Sequence, residues 1–284
     1  MTILEPLYDP STGQMRVAGL ISGTGSNLVK IIEHEHALSQ EPGKSPFHVA
    51  VVFTDTTESN AGQIGQDYDI PVLAIGIRRF YERRGKKRKN LRRLKDKLDL
   101  DPEDKKLKAK YEEQLGIREE FDRDLIHQLG LFDVHVAAFA GYMSIATEPL
   151  ISALLGVNVH PADLSSRDKQ GRRRYVGDHA VRDAILAGEK RICSSTHLIE
   201  EKVDYGRLLM RSGPMEVVLP EGFDPTNEAM LQSAEKENQG NLKKVGDWLI
   251  FPATLENIAR GRFAQDETGL FYFDKKPIPD GYRL

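Results

Sequence analysis

Asn158-Val159-His160-Pro161 closes an apolar, strand-like run from Leu154 to Val159, and Asp204 follows downstream. An amide, an imidazole and a carboxylate, with no hydroxyl or thiol nucleophile among them, suit a reaction in which a substrate amine attacks a carbonyl. The protein would then stabilise an oxyanion and move protons. A second group, Ser22-Gly23-Thr24-Gly25-Ser26-Asn27, lies between a strand-like and a helical segment. Free N–H groups and the helix dipole favour a phosphate there. Together the two groups imply acyl transfer to a phosphorylated amine.

Each residue also has a plainer reading. His160 alone would be a satisfied strand-end histidine, Asn158 a turn residue, Asp204 half of a turn with Gly206, and the glycines a tight turn. The two-residue spacing on a strand puts Asn158 and His160 on one face, which favours a shared role. The glycine loop is not a Walker loop, since no Gly-Lys-Ser/Thr follows, and Leu28 stands where a third Rossmann glycine would be. Asp55 ends the second strand, where a ribose-binding acid would lie, so a nicotinamide site is a rival.

Around these groups, Arg16–Ser22, Phe47–Thr54, Ile70–Ile75, Asp133–Ala140 and Gly156–His160 read as strands, and Asn27–Leu38, Asn60–Tyr68, Arg118–Leu129 and Glu148–Leu155 as helices. This alternation predicts an α/β fold, an open, mostly parallel Rossmann-like sheet flanked by helices, with both key loops at the carboxyl ends of strands. Further on, Asp178–Ala187 reads as a helix and Ile192–Ile199, Arg207–Arg211 and Met215–Leu219 as strands. Asn227–Arg260 reads as mainly helical with a bend at Pro252, and Phe271–Phe273 as a last strand.

The 284 residues, 39% of them hydrophobic, suffice for a core and fit a single domain over 1–284. The single cysteine, Cys193, excludes an internal disulfide framework, and no Cys/His cluster has zinc spacing, so no metal is expected. Met1 to Gln14 lacks the basic start and apolar stretch of a signal peptide, and no later run approaches membrane-spanning length. A cytoplasmic protein without a membrane partner is expected. The net charge of −3 hides sixteen Lys and Arg against eight Asp and Glu between Arg78 and Glu113. Leucines at 91, 94 and 98, an Asp101-Pro102-Glu103-Asp104 start signal, and Leu107, Tyr111 and Leu115 closed by Gly116 predict an inserted charged helical hairpin over 78–116.

Leu20-Ile-Ser-Gly-Thr-Gly-Ser-Asn-Leu28, Ala140-Gly-Tyr-Met143, Asn158-Val-His-Pro161, Val203-Asp204-Tyr-Gly206 and Lys244-Val-Gly-Asp247-Trp-Leu-Ile-Phe-Pro252 stand in the order found in phosphoribosylglycinamide formyltransferases. The chain resembles this folate-dependent formyltransferase family over roughly residues 16 to 282 apart from the insertion. The resemblance implies formyl transfer from 10-formyltetrahydrofolate to the amine of glycinamide ribonucleotide, a step of purine biosynthesis. It implies Asn158, His160 and Asp204 as the catalytic trio. It places the acceptor's phosphate and ribose on Gly25, Ser26, Asn27, Lys244 and Asp247, and substrate or folate contacts on Arg118, Met143, Ser144 and Ile145.

The chain departs from that family's pattern around the donor. Ser144 replaces an arginine that often follows the methionine, and Ala162 to Arg174 replaces a shorter loop. Arg172, Arg173 or Arg174 is therefore expected to approach the donor's carboxylates. Alternatives are a formyltransferase for another amine, such as a sugar nucleotide or methionyl-tRNA, and a formyltetrahydrofolate hydrolase, which would not need the phosphate loop. A basic-hairpin RNA-binding or regulatory protein is the rival outside enzymes. The hairpin's mixed signs and few aromatics argue against nucleic acid and for a solvated face or a subunit contact, so a homodimer is compatible with the sequence.

Overall fold

The structure is a computed structural model that describes residues 3–40 and 44–284. The chain forms two compact units, one of Met1–Met15, Val29–His48 and Val157–Leu284, the other of Arg16–Leu28 and Val49–Gly156.

Apart from Met15, Phe47 and His48, the second unit carries the strands Val136–Phe139, Met15–Ile21, Phe47–Thr54 and Val72–Ala74, adjacent in that order. Val17 pairs with Val136 and Val52 with Val72, both in parallel register. Met15–Ile21 and Phe47–Thr54 are nearly continuous apolar runs, buried along their length, as strands covered on both faces must be. Helix-to-strand approach is served by Gly19, where a Cβ would stand 2.3 Å from a methyl of Leu28. The large residue at the expected third-glycine position is thus accommodated by a glycine on the strand.

The insertion forms Leu91–Leu100 and the start of a 26-residue helix, Lys105–Gly130. Asn90 and Asp104 are the N-caps, each accepting backbone N–H groups of the following turn. The expected stop at Gly116 is absent. The helix runs through it and joins the predicted segment Arg118–Leu129, because Ile117, Phe121, Leu125 and Leu129 bury one continuous stripe. A single glycine costs only about 1 kcal/mol in a helix interior, less than that burial returns. The basic stretch before the hairpin is tied down. Gln114 accepts the N–H of Lys89 at 2.8 Å and donates to the carbonyl of Lys87 at 3.3 Å, and Tyr81 donates to the carbonyl of Gln114 at 2.9 Å.

Apart from Leu155 and Gly156, the first unit carries the strands Tyr282–Arg283, Leu208–Arg211, Ser195–Leu198 and Leu155–His160, adjacent in that order. Leu155–His160 and Leu208–Arg211 both run antiparallel to Ser195–Leu198, so the sheet is mixed. The expected strand Ile192–Ile199 is split, Arg191–Ile192 pairing instead with Met215–Glu216. The C-terminal helical region is interrupted at Lys243–Asp247, a wide π turn between Glu228–Leu242 and Trp248–Ala259, whereas Pro252 lies inside the second helix. Within the wide turn Gly246 packs closely on Ser194: a Cβ on Gly246 would lie 2.4 Å from the Ser194 hydroxyl. The Ser194 Oγ–H is donated to Asp247 Oδ1 at 2.5 Å.

Candidate active site

Asn158 faces His197 across the antiparallel pair, and His160 faces Ser195. His160 is 5% exposed. Its Nε2 lies 2.9 Å from the carbonyl oxygen of Tyr175. A carbonyl only accepts, so Nε2 carries a proton and Nδ1 is the nitrogen turned to Asp204 Oδ1, 3.6 Å away. That separation exceeds a direct hydrogen bond and is an ion-pair distance.

Asp204 is 7% exposed and has φ +59°, a left-handed conformation unusual for a residue with a side chain. The turn places Oδ2 on the backbone N–H of Gly177 at 2.6 Å and turns Oδ1 to the two histidines. Gly206 makes the turn fit: a Cβ there would meet the Leu198 carbonyl oxygen at 1.7 Å.

His197 was not singled out by sequence. Its Nδ1 stands 2.7 Å from the Leu198 carbonyl and must be protonated, so its Nε2 accepts from the Asn158 amide nitrogen at 3.3 Å. Burial pushes the imidazole pKa down to about 4, against the pull of Asp204. Near pH 7 His197 is therefore neutral and fixes which end of the Asn158 amide faces it. The only signal in the sequence was a histidine inside a short strand-like segment, Ser195-Thr-His-Leu198, which more often marks core than chemistry.

Gly25 has φ +66° and is buried against Ile64 and Ile21, with the helix Ser26–Ser39 starting directly after it. Ser26 and Asn27, half-buried, thus occupy the first positions of that helix. Lys244 is exposed on the wide turn, while Asp247, on the same turn, is buried against Ser194.

Arg118 has no open face. At 2% exposure it pairs with Asp122 at 2.7 Å and donates to the Ile145 carbonyl at 2.7 Å and the Tyr142 hydroxyl at 3.1 Å. It supports the Tyr142–Ile145 segment from the interior and does not present its guanidinium to a ligand. Met143 is 70% exposed, and its N–H is donated to Ser22 Oγ at 2.9 Å. Ser144 donates to Asp55 Oδ2 and accepts from Arg88 at 2.9 Å, while Ser22 Oγ–H is donated to Asp55 Oδ1 at 2.7 Å. Both Asp55 oxygens thus accept hydroxyl protons, which removes support for a ribose-binding acid at this position. A cavity of about 400 Å³ opens here, lined by Ser22, Asp55, Arg78, Arg79, Arg88 and Ser144.

The arginines at 172–174 each make contacts within the chain. Arg172 pairs with Asp168 at 2.8 Å, Arg174 pairs with Glu189 at 2.8 Å, and Arg173 donates to backbone carbonyls. Arg173 is thereby withdrawn from a donor's carboxylates, since both its Nη atoms are engaged on the main chain, whereas Arg172 is 68% exposed and engages only its Nε. The cation found beside Ser144 is Arg88, from the insertion.

Among the described residues no group of His, Cys, Asp and Glu could hold a metal ion, and no helix is long and apolar enough to cross a membrane.

Buried polar groups converging at the ends of strands in an α/β chain, around an imidazole with no nucleophile bonded to it, define a class of group-transfer enzyme. The formyl transferase family model matches residues 15–243, and the chain belongs to this family. It is 25% identical over 167 residues to phosphoribosylglycinamide formyltransferase of Escherichia coli, covering 58% of this chain and 68% of that protein. It is 24% identical to the enzyme of the same name from Haemophilus influenzae, covering 94% of this chain and 98% of that one. The phosphoribosylglycinamide formyltransferase structure from Coxiella burnetii superposes with a TM-score of 0.63 at 18% identity, over 96% of this chain and 100% of that one. The fold is therefore the Rossmann-like one of that group, and the protein is a formyltransferase whose co-substrate is a formyl-folate.

Proposed function

We propose that this formyltransferase moves the formyl group of 10-formyltetrahydrofolate to the amine of glycinamide ribonucleotide. One observation carries the reading: His160 has its Nε2–H committed to the Tyr175 carbonyl and its Nδ1 turned to a carboxylate, not to a hydroxyl or thiol. That arrangement activates no protein nucleophile and suits direct attack by a substrate amine.

The amine lone pair forms the new C–N bond at the formyl carbon while the carbonyl π pair moves to oxygen. Protonated His160, through Nδ1–H, and the Asn158 amide N–H stabilise that oxyanion. Asp204 accepts the proton released by the attacking nitrogen, through water, and returns it to N10 as the C–N10 bond breaks and its electron pair stays on nitrogen. None of these steps uses a metal.

For the acceptor, the helix N-terminus at Ser26 and Asn27, with Gly25 before it, suits the phosphate, and Lys244 supplies a cation. Asp247 serves the ribose only through the buried turn it shares with Ser194. For the donor, Met143 and Ile145 form an apolar wall, and Arg88 with Ser144 offers a carboxylate contact in place of the arginine this chain lacks. The Haemophilus and Escherichia proteins carry the acceptor in their names, which supports this choice over other amines.

The test is steady-state transfer by the purified full chain, with 10-formyltetrahydrofolate and either glycinamide ribonucleotide, a sugar-nucleotide amine, methionyl-tRNA or no acceptor. Turnover is expected only with the first. Release of tetrahydrofolate without any acceptor at a comparable rate would establish a hydrolase instead.

A further inference from the structure

We propose that Arg173, from the 162–174 loop, is a positioning residue for catalysis: it locks the Asp204 turn in its left-handed form and places a fixed positive charge behind the Asp204–His160–His197 cluster. This inference rests on the formyl-transfer reading of that cluster.

The side chain is 8% exposed although it is an arginine in a loop. Nη1 donates to the carbonyl oxygen of Asp204, and Nη2 donates to that of Gly206 at 2.9 Å. The fork therefore grips both ends of the three-residue segment that carries the carboxylate, with its carbon 5.7 Å from the Tyr205 ring between them. A left-handed non-glycine residue persists only where its surroundings over-determine it. Here the Arg173 fork does so on the main-chain side and the Gly177 N–H on the side-chain side.

The loop is built to deliver this residue. Arg167 and Arg173 bridge in antiparallel fashion, Asp168 donates its N–H to the Arg172 carbonyl at 2.8 Å, and Arg174 donates its N–H to the Ser166 carbonyl at 3.1 Å. In this hairpin Arg172 and Arg174 take the half-buried carboxylates of Asp168 and Glu189, and Arg173 is the one turned inward.

The charges that face it are Arg167, Glu200, Asp204 and the Tyr205 hydroxyl. The charges that face His197 are Asp204, His160 and Arg173, and Arg173 is one of the causes that keep the His197 imidazole neutral. Removing the guanidinium thus acts on geometry and on protonation at once.

Two variants separate the parts. Arg173→Met loses both clamp and charge, and Arg173→Lys keeps the charge but cannot span two carbonyls. For Arg173→Met we expect kcat lower by about 10²-fold, KM for both substrates within about threefold of wild type, and the acidic limb of the kcat profile displaced to higher pH. For Arg173→Lys we expect a smaller loss of kcat with the limb in its wild-type place. If Arg173→Met does not fold, the lysine variant decides: wild-type turnover would overturn the proposal. It is equally overturned if folded Arg173→Met keeps wild-type kcat, or loses activity only through KM. Imidazole NMR titration of His197 gives a readout free of substrate, expected to move up from about 4 in the methionine variant. If wild type fails to transfer formyl to glycinamide ribonucleotide, the functional reading fails, while an unmoved His197 titration would sink the Arg173 proposal alone.

Discussion

Protonating His197 should unfold this protein from its active site outward. In the folded chain its pKa is pushed down to about 4 by burial, against 6.5 for an unperturbed imidazole. As pH falls below 6.5 the unfolded chain takes up a proton that the folded one refuses, so folded stability declines. The decline ends near pH 4, where the folded form also protonates. Each pH unit in that window removes about 1.4 kcal/mol, which gives a loss of roughly 3 kcal/mol between pH 7 and 4 from this residue. The stability is fully present above pH 6.5 and the effect on chemistry has the same sign, because a protonated His197 can no longer accept the Asn158 N–H. Acid also weakens carboxylate interactions, so the comparison must be with His197→Gln, which keeps a neutral hydrogen-bonding side chain and cannot titrate. Denaturant unfolding of both proteins at half-unit steps from pH 7.5 to 4 gives the difference directly. Wild type should lose about 3 kcal/mol more than the variant across the window. Parallel pH dependences would refute the assignment of His197 as a buried neutral imidazole.

Other consequences follow from the same geometry. His160→Ala should lower turnover by about 10²-fold to 10³-fold with substrate binding still measurable by calorimetry, and near-normal turnover would remove His160 from the chemistry. Lys244→Ala should raise KM for glycinamide ribonucleotide about tenfold and leave the donor's unchanged, and equal losses for both would contradict its assignment to the acceptor. Arg88→Ala should raise the donor's KM several-fold and flatten its salt dependence, which titration at low and high ionic strength would show. Gly246→Ala should cost about 1–3 kcal/mol by thermal unfolding, since the added methyl collides with the Ser194 hydroxyl, and an unchanged midpoint would mean the wide turn relaxes freely.

Much of this was legible in the chain because it is written in local pattern. The strand Phe47–Thr54 matches its expected bounds because seven of its eight residues are apolar or β-branched, and Phe271–Phe273 does so because all three are aromatic. The pairing of Asn158 with His160 needed only the two-residue period of a strand. What escaped was set by contacts distant in sequence. Nothing near Gly116 announced that a buried stripe would carry the helix through it, and nothing near Lys243 announced a wide turn with Gly246 packed on Ser194. Arg118 read as a substrate arginine because its sequence position resembles one, whereas its burial depends on Asp122, Tyr142 and the Ile145 carbonyl closing around it. The second histidine of the cluster was invisible for a similar reason: its role exists only once the strand Ser195–Leu198 lies beside Leu155–His160.

The unbroken helix Lys105–Gly130 has a bearing on how the insertion could have been acquired and trimmed. Its 26 residues extend about 39 Å at 1.5 Å each, with every residue advancing the face by about 100°. Losing a single residue near Lys108 would swing everything before it through more than a quarter turn and take Leu107 off the face that packs on Leu91–Leu100. Losing seven would return the face almost to its starting phase while shortening the arm by about 10 Å. Length changes in this arm should therefore survive in steps near seven residues, the rhythm of the helix acting as a ratchet on its evolution.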